Sequence, residues 1–155
     1  MLTQTSKLIS QATEPLLLLT LAIIISILLY MNSKKPQAVL LFSASIITAI
    51  IIKLLKEIVQ APRPVSTLVQ ETGYSFPSGH TTFAVVFFGL LIYIFTKTRF
   101  QKIISSIISV FIIAIIISTR LTLQVHYSLD IIAGAILGTS ILIISILADK
   151  KLSKK

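Results

Sequence analysis

The stretch YSFPSGHTTFAVVFFGLLIYIFT, residues 74–96, sets a proline, a serine, a glycine and a histidine immediately before an apolar run, residues 81–96, that carries no charged side chain. Such a run suits a helix crossing lipid, which takes roughly 20 residues for about 30 Å of hydrocarbon. Comparable runs occupy residues 15–31, 37–59, 103–119 and 129–148. The 155-residue chain is 55% hydrophobic with a mean hydropathy of +0.97, outside the range of soluble globular chains. Backbone polar groups cannot bond to lipid, so they must be satisfied within helices or a closed barrel, and unbroken apolar runs lack the alternation of barrel strands. The expected fold is all-α, a polytopic membrane helical bundle with five transmembrane helices.

The first run follows Lys7, as in a signal peptide. No small-residue cleavage pattern follows Met31, however, and the Lys34–Lys35 pair reads as a stop, so the run is expected to be a retained span. Residues 1–14, with Leu2, Leu8 and Ile9 among polar neighbours, read either as a short interfacial helix or as a frayed end. The chain has no cysteine, which removes disulfides and thiolate metal sites. No repeat or low-complexity linker divides the sequence. It reads as one membrane-embedded domain, residues 1–155, with a core at about residues 53–148.

Five spans put the termini on opposite sides and sort the charges into two sets. One collects Lys34, Lys35, Lys97, Arg99, Lys102, Lys150, Lys151, Lys154 and Lys155 against Asp149. The other holds Lys7, Lys53, Lys56, Arg63 and Arg120 against Glu14, Glu57, Glu71 and Asp130. The positive-inside rule makes the first set cytoplasmic, with the N-terminus outside and the C-terminus inside. The expected location is the cell membrane, multi-pass, with the polar loops of the second set facing outward. The formal net charge of +9 is then a topology signal, and nucleic acid is not an expected partner.

Beyond the N-terminal segment, the outer ionisable groups fall at three helix ends: span two ends in KLLKEIVQAPRP (53–64), span three begins after PSGH (77–80), and spans four and five are joined by STRLTLQVHYSLD (118–130). Up-and-down topology brings these to one face, where Lys56, Arg63, His80, Arg120, His126 and Asp130 can converge. Three permanent cations ask for an anion, and two planar guanidiniums with one ammonium can hold a tetrahedral oxyanion. Pro77 and Ser78 suit a helix start, and Gly79 lets backbone N–H groups approach that anion closely. His126 and Asp130, spaced i, i+4, share a face in a helix that begins this early. The carboxylate can then fix the tautomer and leave the other ring nitrogen free for attack at phosphorus, with His80 protonating the leaving oxygen and later activating water.

Each residue alone has an ordinary reading: lysine and arginine snorkelling at a membrane edge, a surface ion pair, a capped helix start. Lys53, one turn before Lys56, reads as a snorkeller, and the GAILG pattern of Gly134 and Gly138 as close packing inside the bundle. Two histidines and an aspartate could ligate a divalent ion, but three neighbouring cations oppose it. An anion channel or transporter could use the same cations, though it has no need of Asp130.

Together the three segments resemble the signature motifs of the type 2 phosphatidic acid phosphatase superfamily, which includes lipid phosphate phosphatases and vanadium haloperoxidases. Lys56, Arg63 and Pro64 match the first motif, Pro77, Ser78, Gly79 and His80 the second, and Arg120, His126 and Asp130 the third. The resemblance implies that Lys56, Arg63, Ser78, Gly79 and Arg120 bind phosphate, that His80 is the acid and base, that His126 is the nucleophile and that Asp130 orients it. It implies no metal and no cofactor. Thr119 stands where the family usually has serine, keeping the hydroxyl. The first motif closes the second span here, whereas membrane members commonly have six spans and close the third.

A site at the outer rim, reached between spans, points to a lipid phosphate substrate drawn from the surrounding membrane lipids. With the family's chemistry and an outward orientation, a polyprenyl diphosphate is the leading expectation. Phosphatidic acid and phosphatidylglycerol phosphate are the alternatives. No obligate protein partner is evident.

Overall fold

A computed structural model describes residues 2–66, 68–69 and 71–152 of the chain. Lys154 and Lys155 of the basic set lie outside the described residues. All regular elements among them are helices: α1 (Leu2–Ala12), α2 (Pro15–Met31), α3 (Lys35–Val59), α4 (Gly79–Phe95), α5 (Arg99–Thr122) and α6 (Ser128–Leu152). The last five coincide with the five apolar runs and extend past them where polar residues complete a terminal turn. The start of α5 is a capping box, in which the Thr98 hydroxyl accepts the Gln101 N–H while the Gln101 side chain accepts the Thr98 N–H.

The helical runs Thr3–Met31, Lys35–Val59, Arg99–Thr122 and Ser128–Leu152 are long and apolar enough to cross a membrane, and Gly79–Phe95 is a shorter apolar helix. Within Thr3–Met31 the chain breaks at Pro15, which brings no N–H to the helix, with Glu14 extended at φ −58°, ψ 136°. The two halves then diverge: α2 packs on α3 and α4, whereas α1 packs on α5. Residues 1–14 thus contain an ordered helix rather than a frayed end.

Helix α4 is the centre of the bundle, packed by α2, α3, α5 and α6, which is why it is apolar on every side. Phe83, Ala84, Val86, Phe87 and Leu90 of α4 are buried against Leu18 and Ala22 of α2, Leu41 and Ala44 of α3, Ile116 of α5 and Ile141 of α6. The outer helices show the reverse, exposing Ile107 and Phe111 on α5 and Ile136 and Ile144 on α6, as expected where the surrounding medium is hydrocarbon. The α4–α6 pairing is the most extensive in the molecule. Its closeness is set by Gly134 and Gly138, where a Cβ would lie 2.8 Å from the backbone oxygens of Ser78 and Thr82 respectively. The GAILG pattern therefore packs inside the bundle.

Connectivity puts the end of α3, the start of α4, the end of α5 and the start of α6 at one end of the bundle. The turn carrying Lys34 and Lys35, the turn carrying Lys97 and Arg99, and the end of α6 with Lys150 and Lys151 lie at the other.

Candidate active site

Helix α3 stops at Gln60, which takes a left-handed φ of 51°, and the described residues between it and α4 carry no regular structure. Lys56, in the last turn of α3, donates from Nζ to the Tyr74 carbonyl. Arg63 donates from Nε to Gly73 O (3.1 Å) and from Nη1 to Val125 O (3.0 Å). One side chain thereby fastens the α3–α4 connection to itself and to the α5–α6 turn. Ser66 adds a second tie, its hydroxyl donating to Leu123 O at 2.7 Å.

Arg120 is wholly buried. A guanidinium in that position is costly unless paired, and its partners come from two segments distant in sequence. Nη2 pairs with Glu71 Oε1, Nη1 donates to the Ser10 hydroxyl, and Nε has no partner among the described residues. The other oxygen of Glu71 lies 3.3 Å from Arg63 Nη2, so one carboxylate spans both arginines. Burial opposes ionisation of Glu71, but the hydrogen bond and charge of Arg120, with the charge of Arg63, outweigh it and hold the pKa below the ordinary carboxylate value. Burial lowers the Arg63 pKa from an ordinary value high enough that the guanidinium keeps its proton.

His126 lies in the turn between α5 and α6, where Gln124 takes a φ of 53°. Helix α6 begins at Ser128, so His126 precedes it, and the shared helix face that the i, i+4 spacing suggested is not formed. The pair forms nonetheless: His126 Nδ1 is 3.4 Å from Asp130 Oδ2, which also accepts the Tyr127 N–H at 2.9 Å. With Nδ1 turned to the carboxylate, Nε2 presents its lone pair and lies 3.4 Å from Arg63 Nη1. Burial, then the charges of Arg63, Arg120 and Lys56, hold the His126 pKa far below the ordinary histidine range. The ring is accordingly neutral at neutral pH.

His80 occupies the first turn of α4, with Nε2 3.3 Å from Ser10 O and 3.4 Å from Arg120 Nη1. A carbonyl can only accept, so the Ser10 contact requires the hydrogen on Nε2 and makes Arg120 a neighbour rather than a donor to it. Ser78 holds the N-cap position of α4 but makes no side-chain cap; its hydroxyl accepts from Thr81 Oγ1 at 3.1 Å. Its N–H donates to Asp130 O at 3.0 Å, joining the second and third motifs. A Cβ on Gly79 would meet Pro15 and Ile52 at ordinary contact distances of 3.4 and 3.7 Å, so protein packing does not demand a glycine there.

Lys56, Arg63, Gly79, His80 and His126 line a cavity of about 560 Å³, together with Glu71 and with Lys7, Ser10, Gln11 and Glu14. Arg120, Ser78 and Asp130 stand behind this lining, Arg120 bonded to Ser10 and Glu71, Asp130 to His126, and Ser78 to Asp130. All eight residues picked from the sequence are therefore brought to one place. The family model described as the PAP2 superfamily matches residues 37–154.

The chain belongs to the PAP2 superfamily.

The PAP2 match begins inside α3 and leaves α1 and α2 outside it. Phosphatidylglycerophosphatase B of Bacillus subtilis (strain 168) is similar, with 30% identity over 127 residues, 78% of this chain and 62% of the relative. This chain thus spans less than two thirds of that relative's length. It is also similar to the crystal structure described as the first transmembrane PAP2 type phosphatidylglycerolphosphate phosphatase from Bacillus subtilis, with a TM-score of 0.87 at 26% identity, covering 97% of this chain and 77% of that one.

Two side chains bonded to the motif arginines, Glu71 and Ser10, escaped the sequence reading. Glu71 carried a signal, since it is an acid in the outer set within reach of three cations, but no motif contains it. Ser10 carried none, because its contribution depends on the turn of α1 toward α5.

Proposed function

We propose that this chain is a lipid phosphate phosphatase, one membrane-embedded unit of five spans, in which Lys56, Arg63 and Arg120 bind the phosphate, His126 is the nucleophile, Asp130 orients it and His80 serves as acid and base. One observation carries the reading. Arg63 stands beside His126 Nε2 and Arg120 beside His80 Nε2, each at 3.4 Å, and the single carboxylate of Glu71 bridges the two guanidiniums. An anion shared by both arginines would lie near both imidazoles, as in-line displacement at phosphorus requires.

Phosphate binding favours the imidazolium form of His80. His126 Nε2 forms a bond to phosphorus while the bond to the lipid oxygen breaks, and that oxygen takes the Nε2 proton of His80. Neutral His80 then removes a proton from water, whose oxygen displaces His126 from phosphorus and frees inorganic phosphate. The three cations, with the backbone at Gly79, which lines the cavity at the start of α4, stabilise the charge on the transferring group.

Phosphatidylglycerophosphate is the best-supported substrate, because both relatives are described as phosphatases of that lipid. A polyprenyl diphosphate is the second reading. It is supported by the basic residues at the end opposite the site, which favour an N-terminus outside, a C-terminus inside and a site open to the outer face. Anion transport is less well supported, since conduction makes no use of an imidazole oriented by a carboxylate.

The test is phosphate release by purified protein from phosphatidylglycerophosphate, phosphatidic acid and a polyprenyl diphosphate, with and without a chelator. Release is expected to survive the chelator, to be inhibited by vanadate, and to fall about 10³-fold or more in His126→Ala. No release from any of the three lipids, or anion flux that survives His126→Ala, would overturn the assignment.

A further inference from the structure

The leaving group of this reaction must lie against α1. The group that protonates the departing oxygen is His80, and its Nε2 is in contact with the Ser10 carbonyl of α1; the nucleophilic nitrogen belongs to the other imidazole, beside Arg63. In-line geometry sends the departing oxygen away from His126, hence toward the wall that Ser10 forms. Whatever the substrate carries beyond its scissile phosphate emerges along that wall. The residues there are not featureless: Lys7, Ser10 and Gln11 sit at i, i+3 and i+4, one face of the helix, and all three line the cavity with Glu14. Lys7 is exposed and is the single cation among the lining residues that the three motifs do not include. Helix α1 also lies outside the family match at residues 37–154, and Lys7, unlike Ser10, has no hydrogen bond to a motif residue among the described residues.

We propose that the cavity-facing side of α1 is a head-group subsite, and that Lys7 is a specificity-determining residue that binds a second, non-scissile phosphate on the leaving group. The proposal rests on the phosphatase reading above and deepens it. Phosphatidylglycerophosphate leaves as an alcohol that still carries a phosphodiester, and a polyprenyl diphosphate leaves as a monophosphate. The leaving group of phosphatidic acid, diacylglycerol, has no phosphate. A lysine one turn from Ser10, on a flexible four-carbon stem, can meet an anionic group in the first two cases and has nothing to bind in the third. Gln11, between Lys7 and Glu14 in sequence, is suited to a hydroxyl of the glycerol that joins the two phosphates.

The experiment measures kcat/KM of the full chain and of Lys7→Ala and Lys7→Arg on phosphatidylglycerophosphate, a polyprenyl diphosphate and phosphatidic acid in one detergent. Phosphatidic acid is the internal reference. In Lys7→Ala the ratio of either two-phosphate lipid to phosphatidic acid is expected to fall about tenfold, the scale of one charge-assisted contact, and Lys7→Arg is expected to restore it. Loss of preference for only one of the two-phosphate lipids supports the subsite and names its source. An equal fall on all three substrates assigns Lys7 to holding α1 in place and overturns the proposal, as does an unchanged ratio. A wild-type chain inert on all three lipids sinks the phosphatase reading itself and the subsite with it, an outcome distinct from an active enzyme indifferent to Lys7.

Discussion

On the proposed reading, Glu71 holds the place a substrate phosphate would need. Its two oxygens engage Arg63 and Arg120, the guanidiniums that the motifs assign to the anion, so carboxylate and phosphate compete for the same donors. Replacing it with glutamine keeps the shape and removes the charge. Glu71→Gln is expected to bind vanadate and inorganic phosphate several-fold more tightly than the wild type, read as inhibition constants, and weaker inhibition would count against the competition. The same substitution has a pH signature. Because the folded-state pKa of Glu71 lies below the ordinary carboxylate value, its stabilisation is present above that ordinary value and is lost as pH falls through the folded one. The Tm of Glu71→Gln should therefore depend less on pH on the acid side, with a cost at neutral pH of about 1–3 kcal/mol, because the buried Arg120 guanidinium keeps a hydrogen-bond partner but loses its counter-charge. The convergence of the eight motif residues at one end of the bundle was legible beforehand because their types and spacing follow one pattern along three helix ends. Glu71 was not, since a compensating acid can come from any segment that reaches the arginines.

The helices themselves were read well because each is a long apolar run bounded by polar residues, and lipid leaves the backbone few other options. What the runs could not disclose is which helix is central and where α1 goes. The first follows from packing, and its most sensitive point is the α4–α6 contact beneath the PSGH segment. A methyl at Gly134 would stand 2.8 Å from the Ser78 carbonyl, with Thr82 Oγ1 at 3.1 Å and Thr81 Cβ at 3.3 Å. A backbone atom cannot swing aside as a long side chain can, so Gly134→Ala must displace the start of α4 or the start of α6, which carry His80 and Asp130. Overpacking of this kind costs about 1–3 kcal/mol. The expected result is a lower Tm together with a fall in kcat larger than any change in KM. At Gly89, by contrast, a Cβ meets the tip of Leu142, a side chain that can rotate, and Gly89→Ala should retain more activity than Gly134→Ala. Equal activity in the two variants would contradict this account of the α4–α6 contact.

At the scale of the whole molecule the two ends of the bundle differ in kind. One end gathers cations with acids and imidazoles around a cavity; the other carries Lys34, Lys35, Lys97, Arg99, Lys102, Lys150 and Lys151 with Asp149, which accepts a hydrogen bond from Tyr93 at 2.8 Å. On the proposed reading, cations balanced by Glu71 and Asp130 serve binding, while cations in excess at a helix end favour one orientation in the membrane. The asymmetry was visible in the sequence, but its meaning depended on knowing which loops share an end, and the fold supplies that. The resulting prediction uses the absence of cysteine from the chain. Val65, 93% exposed beside the site, and Lys102, exposed in the first turn of α5 at the opposite end, can each be replaced by a lone cysteine and treated in intact cells with a membrane-impermeant maleimide. Val65→Cys should label from outside, and Lys102→Cys only after the membrane is opened. The reverse pattern would put the cavity on the cytoplasmic side. It would remove the topological support for a polyprenyl diphosphate and leave the phosphatidylglycerophosphate reading standing on its own, because that reading rests on the relatives and not on the side of the membrane the site faces.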